Sequence, residues 1–167
     1  MCSSDRGAVA SFAWLRGDSD MGRLTIIWLL GVVWATDIGA YFVGRTFGGP
    51  KMAPRLSPNK TWSGLIGGMV SAAIVSVAVF VWADVQSITM STGILVGLAV
   101  FAALVALLSQ AGDVYESSMK RRAGVKDSGT IIPGHGGILD RVDGLMFAAT
   151  FVALVVISVH YLVGWMS

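Results

Sequence analysis

The sequence predicts an all-α protein, a polytopic transmembrane helical bundle of about four spanning helices with one polar segment on its cytoplasmic side. Three observations predict it. Hydrophobic residues make up 54% of the 167 residues and charged ones only 13%, where soluble domains carry roughly a quarter charged. Apolar runs of about twenty residues recur, the length a helix needs to cross a bilayer core. Polar residues gather in one stretch, 109–143, between two such runs. That stretch holds five of the ten acids (Asp113, Glu116, Asp127, Asp140, Asp143) and five of the twelve bases (Lys120, Arg121, Arg122, Lys126, Arg141).

The remaining bulk features are mostly exclusions. A formal charge of +2 is too small to suggest a nucleic-acid partner. The lone Cys2 excludes an internal disulfide and any cysteine-cluster metal site. No apolar stretch precedes Cys2, and the N-terminus lacks the basic-then-apolar layout of a cleaved signal peptide.

In chain order, residues 1–23 are mixed and polar and read as an N-terminal surface segment. Residues 24–167 read as the membrane domain, with spans near 24–43, 63–83, 92–112 and 144–165. Asp37 lies in the first span, where an ionisable group faces protein or water rather than lipid. Tyr41, one turn on, shares its face. A plain alternative is a carboxylate satisfied by a neighbouring helix. Residues 44–62 read as a loop, because glycine and proline break helices. It carries Arg45, Lys51, Arg55 and Lys60. Within it, Ser57, Lys60 and Thr61 group a turn, hydroxyls and an ammonium just before a helix N-terminus, where anions bind well. A basic loop that merely sets topology is the competing reading.

In the second span, Gly64, Gly68 and Ala72 recur every four residues, a spacing that suits close helix packing. The third span reads as running past Gly112, and His160 in the fourth reads as interfacial. Four spans place loop 44–62 and segment 113–143 on one side with nine Lys/Arg. The other side carries Arg6, Arg16 and Arg23. The positive-inside rule then puts both basic loops in the cytoplasm.

If the third helix extends beyond the membrane, Asp113, Glu116, Ser117 and Lys120 share one face. Asp140 and Asp143, three apart, share a face at the start of the fourth helix. Carboxylates from two helix ends thus converge at the membrane surface. Without cysteines or clustered histidines they favour a hard cation, Mg²⁺ above all, since it also binds phosphates. The Lys and Arg cluster suits those phosphates. The run Pro133-Gly134-His135-Gly136-Gly137 allows close backbone approach to an anion. Against this stands the ordinary reading of a charge run as a solvated loop.

Several of these stretches resemble the phosphatidate cytidylyltransferase (CDP-diacylglycerol synthase) family, C-terminal portion. The longest runs from Ser118-Met119-Lys120-Arg121 through Lys126-Asp127 to Pro133-Gly134-His135-Gly136-Gly137-Ile138-Leu139-Asp140-Arg141-Val142-Asp143. Asp37 to Tyr41 with Gly44-Arg45, Leu56 to Trp62, and Gln110 to Asp113 with Glu116-Ser117 are similar to the same family. The resemblance covers roughly residues 8–165. Family members are usually longer, with membrane helices ahead of this region, and several carry a larger polar residue where Ser63 stands.

The resemblance implies transfer of the cytidylyl group of CTP to phosphatidate, giving CDP-diacylglycerol and pyrophosphate, with Mg²⁺. It makes Asp113, Asp140 and Asp143 metal candidates, and Lys120, Arg121, Lys126, His135 and Arg141 phosphate contacts. Ser57, Lys60 and Thr61 complete a nucleotide or lipid-phosphate site, and Asp37 and Tyr41 line the cavity. The partners expected are CTP, phosphatidate, membrane lipids and a second copy in a homodimer, with no nucleic acid. The expected location is a bacterial inner membrane, with the site facing the cytoplasm. Two rival readings stand beside it. One is a non-catalytic shortened relative that binds nucleotide or anionic lipid. The other is a transporter with Asp37 as its coupling residue.

Overall fold

A computed structural model describes residues 10, 11, 13, 15, 20–54, 57–84, 91–122 and 143–166. Four long helices dominate. Helix α1 spans Asp20–Phe47, α2 Trp62–Asp84, α3 Thr92–Arg122 and α4 Asp143–Met166, with strands β1 (Lys51–Ala53) and β2 (Ser57–Thr61) between α1 and α2. Stretches Gly22–Phe47, Trp62–Ala83 and Thr92–Met119 are long and apolar enough to cross a bilayer. Helix α4 runs for 24 residues, about 36 Å at 1.5 Å per residue, and Gly144–Val159 is its apolar stretch. The chain is an integral membrane helical bundle.

The stretch 44–62 departs from the loop expected of it. Helix α1 passes straight through Gly44 and stops at Gly48 and Gly49, whose φ angles are +60° and +107°. Only glycine adopts that backbone cheaply, and the Gly48 N–H closes the helix on the Gly44 carbonyl at 3.1 Å. Gly44 stays helical because another backbone lies on it. A methyl added there would fall 3.4 Å from Gly64 Cα and 2.8 Å from Thr61 Oγ1. The residues that follow form an antiparallel hairpin, with Lys51 opposite Thr61 and Ala53 opposite Ser57. Pro58 is tolerated in β2 because a two-stranded ribbon has outer edges without a ladder partner.

The hairpin leads directly into α2. Thr61 is the N-cap, its hydroxyl accepting the Gly64 N–H at 3.1 Å. The Ser63 hydroxyl donates to the Gly48 carbonyl, and the Trp62 N–H donates to the Pro50 carbonyl at 3.2 Å. The start of α2 is therefore tied to the end of α1.

The helices alternate in direction. Gly44 lies against Gly64, Gly39 against Ser71 and Gly31 against Val75, so α1 and α2 are antiparallel. Ser76 Oγ lies 3.3 Å from the Leu98 carbonyl and Lys60 reaches Asp113, so α2 and α3 are too. Phe101 meets Phe151 at 6.0 Å, and Tyr115, further along α3, meets the earlier Phe147 at 6.0 Å, so α4 is antiparallel to α3.

Small residues line the α1–α2 contact. A methyl on Gly68 would sit 2.9 Å from the Thr36 carbonyl, and one on Gly64 2.8 Å from the Ala40 carbonyl. The four-residue repeat thus does what its spacing suggested, with Ala72 also fully buried. Large side chains point outward from the same helix: Ile66, Val70 and Ile74 are exposed. Small inside and large outside is the pattern of helices packed in lipid. Deeper in the bundle, Trp28 stacks on Phe101 at 5.7 Å and meets Phe80 edge-on at 6.4 Å. Its indole N–H is satisfied by Ser76 Oγ at 2.8 Å. Leu15, from the chain ahead of α1, is buried in this core.

Candidate functional site

The end of α1, the hairpin, the start of α2, the later turns of α3 and the start of α4 all meet at one end of the bundle. Asp113 sits at that meeting point. Its Oδ2 accepts from Lys60 Nζ at 2.8 Å, with the two side chains 28% and 23% exposed. Lys60 is the fourth residue of β2 and reaches across to α3, where it also contacts the Gln110 carbonyl at 3.4 Å. The Gln110 side chain turns the other way, its Nε2 donating to Asp37 Oδ1 at 3.1 Å. One ammonium and one amide thereby join carboxylates of α1 and α3.

The first turn of α4 closes the site. A methyl on Gly144 would fall 2.6 Å from Asp113 Oδ1 and 2.5 Å from Ser109 Oγ. Only hydrogen at this position lets the backbone come so near. A helix start presents unpaired N–H groups and the positive end of the helix dipole. The Ser109 hydroxyl is buried and has no hydrogen-bond partner among the described residues.

Of the residues singled out from sequence, the structure brings Asp37, Lys60 and Asp113 together, with Gln110 as the link. Ser57 opens β2 and is half-buried. The Thr61 hydroxyl is engaged in capping α2 and lies 3.1 Å from Ser63 Oγ. Tyr41 is on the exposed face of α1, where its hydroxyl accepts from Arg45. Lys120 and Arg121 fall in the last turns of α3 and Asp143 opens α4, their side chains lying outside the description. Lys126, His135, Asp140 and Arg141 lie outside the described residues. Sequence reasoning missed the parts played by Gln110 and Gly144. The signal for Gln110 was available, since an amide inside an otherwise apolar helix needs a partner.

The donor chemistry at Asp113 fits a hard divalent cation. Its oxygens are the right ligand type, with Oδ2 shared with the Lys60 ammonium at 2.8 Å. Among the described residues no three Asp, Glu, His or Cys side chains cluster as a metal site.

The family model described as cytidylyltransferase family matches residues 1–159. The chain belongs to the cytidylyltransferase family. Relatives agree. The phosphatidate cytidylyltransferase of Brucella suis biovar 1 (strain 1330) is 53% identical over 144 residues, covering 86% of this chain and 51% of its own length. The phosphatidate cytidylyltransferase of Staphylococcus aureus (strain COL) is 43% identical over 133 residues, covering 80% of this chain and 49% of its own. That of Haemophilus influenzae (strain ATCC 51907 / DSM 11121 / KW20 / Rd) is 41% identical over 130 residues, covering 78% and 44%. The chain thus spans about half the length of the curated relatives it matches. Within this cytidylyltransferase segment lies the whole Asp37–Gln110–Lys60–Asp113 network.

Proposed function

We propose that this chain carries the cytidylyl-transfer site of a phosphatidate cytidylyltransferase, which converts CTP and phosphatidate to CDP-diacylglycerol and pyrophosphate. The observation that supports it most is the Lys60–Asp113 pair held against the first turn of α4, in a chain of this family. In the reaction, a phosphate oxygen of phosphatidate bonds to the α-phosphorus of CTP. The bond from that phosphorus to the bridging oxygen of the β-phosphate breaks, and pyrophosphate leaves with the electron pair. The attacking phosphate is already ionised at neutral pH, so no general base is required.

The burden on the protein is charge. Two anionic phosphates must approach each other, and negative charge builds on the leaving group. Lys60 is placed to answer that charge from its position beside Asp113. Ser57 and Thr61, on the same strand, flank the nucleotide or lipid phosphate, and Asp37 and Tyr41 line the α1 side. Lys120, Arg121, Lys126, His135 and Arg141 are assigned to phosphate contacts. Asp113, Asp140 and Asp143 would hold Mg²⁺, which when bound would neutralise phosphate charge as a Lewis acid. The site faces the cytoplasm of a bacterial inner membrane, because nine Lys/Arg lie on that side and three on the other.

The test uses the purified full chain in lipid nanodiscs with labelled CTP. Formation of CDP-diacylglycerol with matching pyrophosphate release is expected. Binding of CTP without either product would overturn the transferase reading. Metal binding is checked separately, by titrating Mn²⁺ and following its spin resonance. Asp113→Asn is expected to weaken Mn²⁺ binding; unchanged affinity would remove Asp113 from the metal site.

A further inference from the structure

The proposal concerns the outer face of α1 and rests on the transferase reading above. Two rows of side chains run side by side there. Asp37, Tyr41 and Arg45 form a polar row at four-residue spacing, and all three are exposed. Trp34, Ile38 and Phe42 form an apolar row at the same spacing, exposed by 65%, 58% and 62%. Residues four apart lie above one another on a helix, so the rows climb together toward the end of the span.

At the top of the polar row, Arg45 is held in place. One of its terminal nitrogens donates to Tyr41 Oη at 3.0 Å, and its guanidinium carbon lies 6.0 Å from the Tyr41 ring centroid. The phenol uses one of five N–H donors, leaving a forked cation whose shape matches phosphate oxygens. Among the described residues no carboxylate pairs with Arg45. From Ile38 to Ala83 the sequence contains no acid at all, against four bases: Arg45, Lys51, Arg55 and Lys60. Lys60 is neutralised by Asp113, whereas Arg45 and Lys51 are exposed. Phe47 and Trp62 are exposed around this end of the bundle. Aromatic rings beside a cation at the end of a span mark the headgroup level of a bilayer.

We propose that Arg45, positioned by Tyr41, binds the phosphate headgroup of the lipid substrate, with an acyl chain lying along Phe42, Ile38 and Trp34. The occupant is a lipid rather than a free nucleotide, because only a lipid satisfies both rows at once. The polar row leads down to Asp37, whose carboxylate reaches Gln110 on α3. Asp37 lies two turns below Arg45, about 12 Å along the axis, and is bonded through Gln110 beside the Lys60–Asp113 pair. Helical side chains lean back toward the N-terminus, which shortens the headgroup's remaining distance to that pair. Arg45 is thus the entry contact of the lipid-phosphate site.

The test compares wild type with Arg45→Gln, Arg45→Lys and Tyr41→Phe in the full chain. Quenching of tryptophan fluorescence is measured with bromine-labelled phosphatidate and with bromine-labelled diacylglycerol, which has the same tails and no phosphate. Wild type is expected to prefer phosphatidate. Arg45→Gln should lose about tenfold of that preference, the size of a lost hydrogen bond to a charged group. Arg45→Lys should restore part of it, and Tyr41→Phe should weaken it less. In turnover, Arg45→Gln should raise KM for phosphatidate and leave KM for CTP unchanged.

An unchanged phosphatidate preference in Arg45→Gln would overturn the site, as would inorganic phosphate competing as well as the lipid. A loss of thermal stability in Arg45→Gln with lipid preference intact would also overturn it, by showing that a protein segment covers this face. Arg45-dependent lipid binding with no CDP-diacylglycerol made would sink the transferase reading and keep the site. Normal turnover with an unaltered lipid KM in Arg45→Gln would do the reverse.

Discussion

Asp113 pairs with Lys60 through Oδ2, and its Oδ1 lies against the first turn of α4. Asp113→Asn keeps the shape and removes the charge. It should lower turnover about a hundredfold or more, the scale of losing one electrostatic contact to a transition state, while the protein stays folded in detergent. Near-normal turnover would take Asp113 out of the chemistry. Lys60→Met leaves Asp113 without its ammonium. The cost should be about 1–3 kcal/mol, less than for a fully buried pair, because each side chain keeps roughly a quarter of its exposure. Gly144→Ala probes the geometry directly. Its methyl must push on Asp113 Oδ1 and Ser109 Oγ, and a displacement of about 1 Å costs on the order of a hundredfold in rate. The double variant Ser109→Ala, Gly144→Ala should recover part of the loss, and equal rates in the single and double variants would show that Ser109 is not the obstacle.

At the scale of elements, the hairpin and the α1–α2 contact set where Lys60 can reach. Gly67 is a tight place in that contact, since an added Cβ would meet both methyls of Val43. Gly67→Leu should separate the two helices and destabilise the protein by about 1–3 kcal/mol, measured by thermal unfolding in detergent. Val43→Ala placed beside it should restore part of the stability. Thr61→Ala removes the cap of α2 and should cost about 1 kcal/mol. Thr61 also ends the strand that carries Lys60, so turnover should fall further than the stability loss alone explains. A fall in proportion to stability would confine Thr61 to a capping role.

For the whole molecule, the described helices put Asp37, Lys60 and Asp113 at one end. The C-terminus of α1, the hairpin, the N-terminus of α2 and the start of α4 meet around Asp113, and the C-terminus of α2 and the N-terminus of α3 lie at the other end. Positive-inside reasoning assigns the Asp113 end to the cytoplasm. In a Cys2→Ser background, Lys51→Cys should react with an impermeant thiol reagent only after inverted vesicles expose the cytoplasmic face. Ser91→Cys should react from the opposite side. Labelling of both from one side would reverse or break the proposed topology.

Apolar run length and composition were enough to read the helical bundle from sequence, because a spanning helix needs only local satisfaction of its backbone. The continuation of the third helix past the membrane was legible for the same reason, through the spacing of Asp113, Glu116, Ser117 and Lys120. The path of the chain after Phe47 was not. Glycine suggested a break at Gly44, yet packing against Gly64 keeps that residue helical and moves the break to Gly48, where a positive φ is needed. Motif spacing also marked Lys60 and Asp113 separately, but 53 residues separate them and no local pattern says that they pair. Their pairing, the amide bridge from Gln110 to Asp37 and the approach of Gly144 were decided by tertiary packing. Each depends on how closely two helices can approach, and that is set by the side chains of both partners together.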